Sequence, residues 1–263
     1  MLSVFGDESS DEKQARVFAV AGVVGYEVDW QDTEREWRDR TGGEPFHASE
    51  CERKEGGKEL YKDLTQIIAN SRLGARGMAI DLAALRDFFP GVPRDLGYYK
   101  CFMDVIIWLV DNAAKRFNEP IEFTFHHGRE SQYNAGKLYD TLVNTPEWED
   151  GGLFMQTKIS FEGGKNPRIQ MADLIARETM KSLDHQILGK SKRISTTVLC
   201  DKNVSIGLFD RNACANWRSE VDRVNIGPQY GTWLKKNKLA MDNMSNRIRY
   251  IEWFQAEKIK SGR

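Results

Sequence analysis

The carboxylates that best indicate a functional site stand next to apolar residues, where a charged side chain is costly. Asp7 and Glu8 directly follow an apolar segment that includes Val4 and Phe5, and Asp173 lies inside the segment QMADLIA. A buried carboxylate is expensive unless it is paired or binds a cation. Several converging carboxylates hold the hard cations that hydrolyse phosphodiesters. The structural alternatives are turn residues at the first position and, at the second, a helical ion pair with the arginine four residues later.

Two other segments carry histidine near a carboxylate. In FHASE, His47 and Glu50 are three residues apart, which places both on one face of a helix, where they can coordinate a metal or act as a base. The alternative is a structural histidine before a helix capped by the serine. In FTFHHGRE, a predicted strand ends in His126 and His127, with Glu130 just beyond. Because strand residues alternate between faces, at most one of these two histidines points into a site.

The elements that must position these residues follow from periodicity, which predicts an α/β fold. Strands are predicted at about 2–7, 17–25, 73–81, 121–127 and 152–161, with a further strand at 193–200. Helices are predicted at about 55–71, 82–89, 98–117, 131–144 and 166–185, and residues 212–263 are predicted to be mainly helical. Asp81 is expected to cap the helix that follows it. The polar segment WQDTEREWRDR has no assigned element.

Composition excludes several classes of protein. The 263 residues are 40% hydrophobic and 29% charged, as in ordinary globular proteins, and the apolar runs are too short to span a bilayer. We therefore expect a cytoplasmic protein without a membrane segment. The four cysteines form no C-x-x-C pair, so neither a zinc knuckle nor a disulfide framework is indicated. From Tyr230 onward eight basic residues stand against three acidic ones, which is typical either of phosphate contacts or of a solvated helix.

Three segments in combination resemble a bacterial family known as domain of unknown function 3800, whose members resemble the ribonuclease H-like nucleases. They are VFGDES followed by FAVAGVV, then FHASE, then PRIQMADLIARE, and they extend over roughly residues 1–185. The resemblance implies a ribonuclease H-like domain over residues 1–188. Its first strand would be central in a mixed five-stranded sheet with helices on both faces. A mainly helical extension over residues 189–263 would pack on the same domain.

The resemblance also implies a site. Asp7 and Asp173 would meet at one Mg²⁺ or Mn²⁺ site, with Glu8 adjacent and the FHASE residues arriving from a loop and helix. Ribonuclease H-like nucleases usually have an acid where this chain has its histidine pair; a histidine ligand favours Mn²⁺, and the alternative is lost activity. The residues assigned are Asp7, Glu8, His47, Glu50 and Asp173 as catalytic, Asp7, Glu8, Asp173 and His127 as metal ligands, and Lys165 and Arg168 as phosphate contacts.

The function expected from these features is divalent-metal-dependent hydrolysis of phosphodiester bonds in DNA or RNA. An alternative is a catalytically inactive binding module or partner subunit that keeps the fold, with a protein partner or a second copy of the chain on its surface. A third is hydrolysis of another phosphoester such as a nucleotide. The sequence leaves DNA, RNA and nucleotide open.

Overall fold

A mixed sheet forms the centre of the molecule. The computed structural model describes residues 1–11, 16–91, 96–127, 131–144, 148–156, 159–223, 228–237 and 250. The strands are β1 (Leu2–Ser10), β2 (Val17–Tyr26), β3 (Gly74–Asp81), β4 (Ile121–His126), β5 (Ser160–Glu162) and β6 (Val204–Phe209). Among the described residues the six strands lie in the order β5-β4-β1-β2-β3-β6. β2 is antiparallel to β1 and β3, and the other neighbours are parallel.

Helices cover both faces of this sheet. One face packs against α1 (Glu27–Thr41), α2 (Ala48–Cys51), α3 (Gly57–Asn70), α9 (Pro167–Ile187) and α10 (Ile194–Cys200). The other packs against α4 (Leu82–Phe88), α5 (Leu96–Leu109), a π-helical turn (Val110–Ala114) that leads into α6 (Lys115–Phe117), α7 (Ser131–Val143), α8 (Glu149–Phe154) and α11 (Arg211–Arg223). α12 (Pro228–Lys236) follows. No helix of the described segments is both long and apolar enough to cross a bilayer.

The helix α9 lies directly against the centre of the sheet. Its contacts are mainly with β1 and β2, and it is buried along most of its length, including polar residues such as Gln170, Asp173 and Glu178. Asn166 caps its first turn by accepting a hydrogen bond from the Arg168 backbone N–H at 2.9 Å. The absence of a side chain at Gly77 lets Thr179 touch β3, since a Cβ there would overlap the threonine hydroxyl. The central strands and α9 therefore form a rigid frame.

α1 lies in the segment to which the sequence pattern assigns no element. Its few apolar residues are placed at helical spacing, so that Trp30, Thr33 and Trp37 are buried on one side. The Trp37 Nε1–H donates to Gln170 Oε1 at 3.1 Å and so attaches α1 to α9. Gly42 ends the helix in the left-handed conformation, with φ of 66°. Burial of these two large tryptophans therefore stabilises a helix in a segment whose composition is otherwise polar.

The α/β class with a mixed sheet is confirmed, but the described residues form six strands rather than the predicted five. β6 comes from the region predicted as a helical extension and pairs with β3, so Val204–Phe209 belongs to the same sheet. The strand predicted at 193–200 is wrong: this segment is α10, whose Thr196 and Leu199 are buried one helical turn apart. The region predicted as one long strand at 152–161 holds the end of α8 and the short β5.

Other predicted elements agree with the structure. Asp81 caps α4, because its Oδ1 accepts the Ala84 backbone N–H at 2.9 Å. The helices predicted at 55–71 and 131–144 correspond to α3 and α7. Much of the basic segment after Tyr230 lies outside the described residues.

Candidate active site

Asp7 reaches the α9 side of the sheet because residues of β1 alternate between faces. Val4 packs into the core beneath α5, whereas Phe5 packs into the core around α9, and Asp7 shares the face of Phe5. The side chain is buried, and its Oδ1 accepts the Glu8 backbone N–H at 2.7 Å. β4 ends beside it: Nδ1 of His126 lies 3.3 Å from Asp7 Oδ1. The parallel register that pairs Gly6 with Phe125 explains this proximity.

Asp173 arrives at the same place from α9. Its Oδ2 accepts the Ala48 backbone N–H at 2.8 Å and lies 3.4 Å from His47 Nδ1. Ala48 opens the short helix α2, so its N–H has no partner within that helix. The structural alternative of an ion pair with Arg177 is wrong, since the Arg177 guanidinium donates to Glu52 at 2.9 Å. We call Asp7 and Asp173 the acidic centre.

The two carboxylates of the acidic centre repel each other. Burial and, after it, the negative charge of Asp7 raise the pKa of Asp173 to about 6, against the smaller lowering effects of the Ala48 N–H, His47 and Arg177. Among the described residues no Lys or Arg pairs with either carboxylate; the side chains that lie beside them are His47 and His126. The centre is therefore a concentration of negative charge that the chain itself compensates only in part.

His126 responds to this charge. Its pKa is raised, first by its hydrogen bond to Asp7 and also by the charges of Asp7, Asp173 and Glu8, while burial acts in the opposite direction. Its side chain is 38% exposed. The imidazole thus combines contact with a carboxylate and access to solvent, which are the requirements for a metal ligand or a proton carrier.

A second group of charges holds the α2 turn in position. The Arg177 Nε donates to Glu52 Oε2 at 2.9 Å, and the Arg193 Nη2 donates to Glu52 Oε1 at 2.6 Å and contacts Glu178 Oε1 at 2.8 Å. We call Glu52, Arg177, Glu178 and Arg193 the clamp cluster. Because Glu52 directly follows α2, the cluster fixes the turn that brings His47 and the Ala48 N–H to Asp173.

The structure brings some of the predicted site residues together. Asp7 and Asp173 lie close enough for the charge of Asp7 to raise the pKa of Asp173, and His47 contacts Asp173. Glu8 is adjacent, in a small open pocket near the ends of β1 and β4. The residues that line this pocket are Asp7, Glu8, Tyr98, Phe125, His126 and Phe161.

Other predicted residues lie elsewhere. Glu50 points away, with a side chain 63% exposed and 4.0 Å from Lys54 Nζ. His127 is exposed, so the histidine that reaches Asp7 is His126 and not the predicted one.

Arg168 is held by carboxylates of α1 and is only 15% exposed, which leaves it little freedom to bind phosphate. Lys165 is exposed in the turn before α9. Glu130 lies outside the described residues.

Sequence reasoning missed the contacts that come from the backbone and from distant charges. The Ala48 N–H carries no side-chain signal, and the Glu52 and Arg193 pair is separated by more than half the chain. Strand alternation was the one signal available for the histidines: apolar Phe123 and Phe125 face the α5 side, which turns His126 toward Asp7. Glu162, next to His126 in the register of β5, shares this face.

The donor atoms of the acidic centre fit a divalent cation in their chemistry. Two carboxylates and an imidazole are ligands of Mn²⁺, and carboxylates with water suit Mg²⁺. Within the described part of the chain, no three acidic, histidine or cysteine side chains already surround one point as a metal site would. A cation placed between Asp7 and Asp173 would need a further side chain, such as His126, to turn toward it.

Comparison with known proteins does not add a family. No protein-family model matches the chain, and no curated protein is similar to it in sequence. The proposals below rest on the geometry of the described residues.

Proposed function

We propose that this protein is a ribonuclease H-like, divalent-metal-dependent nuclease that hydrolyses phosphodiester bonds of DNA or RNA. The observation that carries the proposal is the acidic centre: Asp7 from the first strand and Asp173 from a late helix lie close together, and within the described segments histidines are the only side chains that pair with them. The central position of β1 and the packing of α9 against it support the fold assignment.

Each side chain has a role in this proposal. Asp7 and Asp173 hold Mn²⁺ or Mg²⁺, and Glu8 adds negative charge at the edge of the site. A cation bound there would polarise the phosphate and lower the pKa of a water molecule. His126 is a ligand or a proton carrier, and its imidazole favours Mn²⁺ over Mg²⁺. His47 keeps Asp173 oriented. A cytoplasmic location remains part of the proposal.

A thermal-shift titration followed by cleavage assays tests this function. We expect Mn²⁺ and Mg²⁺ to raise the Tm of the wild type, because a ligand that binds only the native state stabilises it. The same samples should cleave single- or double-stranded DNA or RNA. Asp7→Asn and Asp173→Asn should each abolish both effects while the protein stays folded. Full cleavage in both variants would exclude the acidic centre as the site.

Asp184→Asn is the matched control. Asp184 is a buried carboxylate of the same helix, but its Oδ1 is paired with Arg16 Nε at 2.7 Å. We expect this variant to have a lower Tm and to keep both the metal-dependent shift and cleavage. Loss of cleavage in the control as well would show that the assay reports general destabilisation.

The alternative function is a non-catalytic binding module, in which the acidic centre is kept with the fold but binds no metal. A module of this kind would show no change in Tm with Mn²⁺ or Mg²⁺ and no cleavage of any nucleic acid. The titration above therefore separates the two functions directly.

A further inference from the structure

A row of charged residues leads from the acidic centre along α9. Asp173, Arg177 and Lys181 follow one another at intervals of four residues, so each is a neighbour of the next on the helix surface. The helical rise between Asp173 and Lys181 is about 12 Å. The row begins with the partly compensated carboxylate of Asp173 and ends with the ammonium group of Lys181.

Lys181 is the least compensated cation of this region. Arg177 is paired with Glu52, and Asp184 Oδ1 is held by Arg16 at 2.5 and 2.7 Å. In the described chain, the carboxylate contact of Lys181 is a long one, 3.9 Å from its Nζ to Asp184 Oδ2. The Asp184 carboxylate thus lies between Arg16 and Lys181 and is closer to Arg16. The positive charge of Lys181 is therefore less compensated.

The surroundings of Lys181 favour an anion. Its side chain is only 25% exposed. Burial lowers the pKa of its ammonium group, and the positive charges of Arg177 and Arg193 lower it further, against the opposite effects of Asp184 and Glu52. An anion placed beside this group would relieve the repulsion between the cations. Lysine is a common phosphate ligand that acts as a point charge.

The separation between the acidic centre and Lys181 along α9 indicates the kind of substrate. A single phosphodiester group is too small to contact both the acidic centre and Lys181. A rise of about 12 Å between the two helix positions exceeds the size of one phosphate group, so an anion at Lys181 has to be a second phosphate. A polynucleotide carries further backbone phosphates beyond the one at the acidic centre, whereas a nucleoside monophosphate carries only one.

We infer that Lys181 binds a backbone phosphate of a polynucleotide whose cleaved bond lies at the acidic centre. This inference rests on the proposed nuclease function and narrows its substrate to polymers. The contact is to the backbone, so it does not distinguish base sequences.

Binding of labelled oligonucleotides tests the inference independently of cleavage. The Asp173→Asn background is used for fluorescence anisotropy with single-stranded DNA, single-stranded RNA and duplex probes longer than about 16 nucleotides. In this background we expect Lys181→Ala to weaken binding roughly fivefold at about 50 mM salt. The slope of log affinity against log salt should shrink by about 0.7 for single strands or about 0.9 for duplex. Lys181→Arg should restore most of the binding.

Lys115→Ala is the control, because Lys115 is ion-paired with Asp150 at 2.8 Å on the opposite face of the sheet. It should leave affinity and slope unchanged. In the otherwise wild-type enzyme, Lys181→Ala should raise KM for polymers and leave hydrolysis of bis(p-nitrophenyl) phosphate unaltered.

The possible outcomes are distinct. Equal affinities and slopes for Lys181→Ala and Lys115→Ala overturn the inference, as does a failure of the Asp173→Asn protein to bind any probe. An equal loss of activity toward polymer and small phosphodiester also overturns it. Lys181-dependent binding in a protein that cleaves no polymer supports the inference and contradicts the nuclease proposal.

Discussion

Asp173 and Glu178 lie on the same helix, five residues apart, and both are buried, yet their surroundings are opposite in character. Glu178 accepts hydrogen bonds from Tyr61, Ser195 and Thr196 at 2.6 to 2.8 Å and contacts the Arg193 guanidinium. Asp173 has one backbone N–H and one histidine.

The difference in hydrogen-bond donors around Glu178 and Asp173 gives a criterion that distinguishes structural from functional carboxylates. A carboxylate that serves the fold receives a full set of donors, because burial without them is costly. A carboxylate that serves a site is held in place but left with charge available for a ligand. By this criterion Glu178 belongs to the fold and Asp173 to the site.

The largest expected effect on stability is that of Glu178→Ala. Removing the carboxylate leaves Arg193 and several hydroxyl groups without their acceptor, so we expect a loss of about 3–5 kcal/mol in the free energy of unfolding. Urea denaturation monitored by circular dichroism measures it. A loss below about 1 kcal/mol would break the comparison, because it would show that the clamp cluster is as loosely held as the acidic centre.

A smaller effect of opposite sign is expected for Asp173→Asn in the presence of EDTA. The pKa of Asp173 in the folded protein is about 6, above the value near 4 expected when unfolded. The native state therefore keeps its proton over this interval, and wild-type stability should fall by roughly 2–3 kcal/mol as pH rises from about 4 to about 6.

The asparagine variant should lack this fall and be more stable than the wild type above pH 6. Denaturation curves recorded at a series of pH values measure the difference. Identical pH profiles for the two proteins would mean that Asp173 is compensated after all. Asp184→Asn, with an ion pair to lose, should instead be less stable than the wild type.

The smallest of the three effects concerns the two adjacent histidines. His126→Gln should weaken Mn²⁺ binding tenfold or more, or about 1.4 kcal/mol, because the imidazole contacts Asp7 directly. His127→Gln should leave the affinity nearly unchanged, since that side chain is exposed. Isothermal titration calorimetry with Mn²⁺ compares them. The opposite ranking would support the sequence-based assignment of His127.

The sequence predicted best where one physical signal dominated. Strict alternation in β4 and the Asp81 cap were both recognisable, since each depends on neighbours along the chain. α1 was missed because two tryptophans carry its apolar face. The segment of α10 is rich in β-branched residues, which favour strands, whereas burial of Thr196 against Glu178 favours the helix.

In the candidate site, the sequence predicted which types of residue are present but not which residues they interact with. The carboxylates Asp7 and Asp173 stand out because charge in an apolar segment needs an explanation. The sequence offered Arg177 as the partner of Asp173, but Glu52 binds this arginine instead. Arg168 was expected to meet phosphate, yet acidic residues on α1 occupy it. Which acidic residue pairs with a given arginine depends on which helices and strands pack together.

By itself, the sequence determined the α/β class, the main strands and helices, and the two carboxylates whose burial had to be compensated, because periodicity and polarity are local properties. Only the tertiary structure decided that Asp7 and Asp173 meet, that His126 rather than His127 faces them, and that Lys181 keeps a surplus charge. These outcomes depend on strand register and on competition between charges far apart in the chain, and a linear pattern records neither.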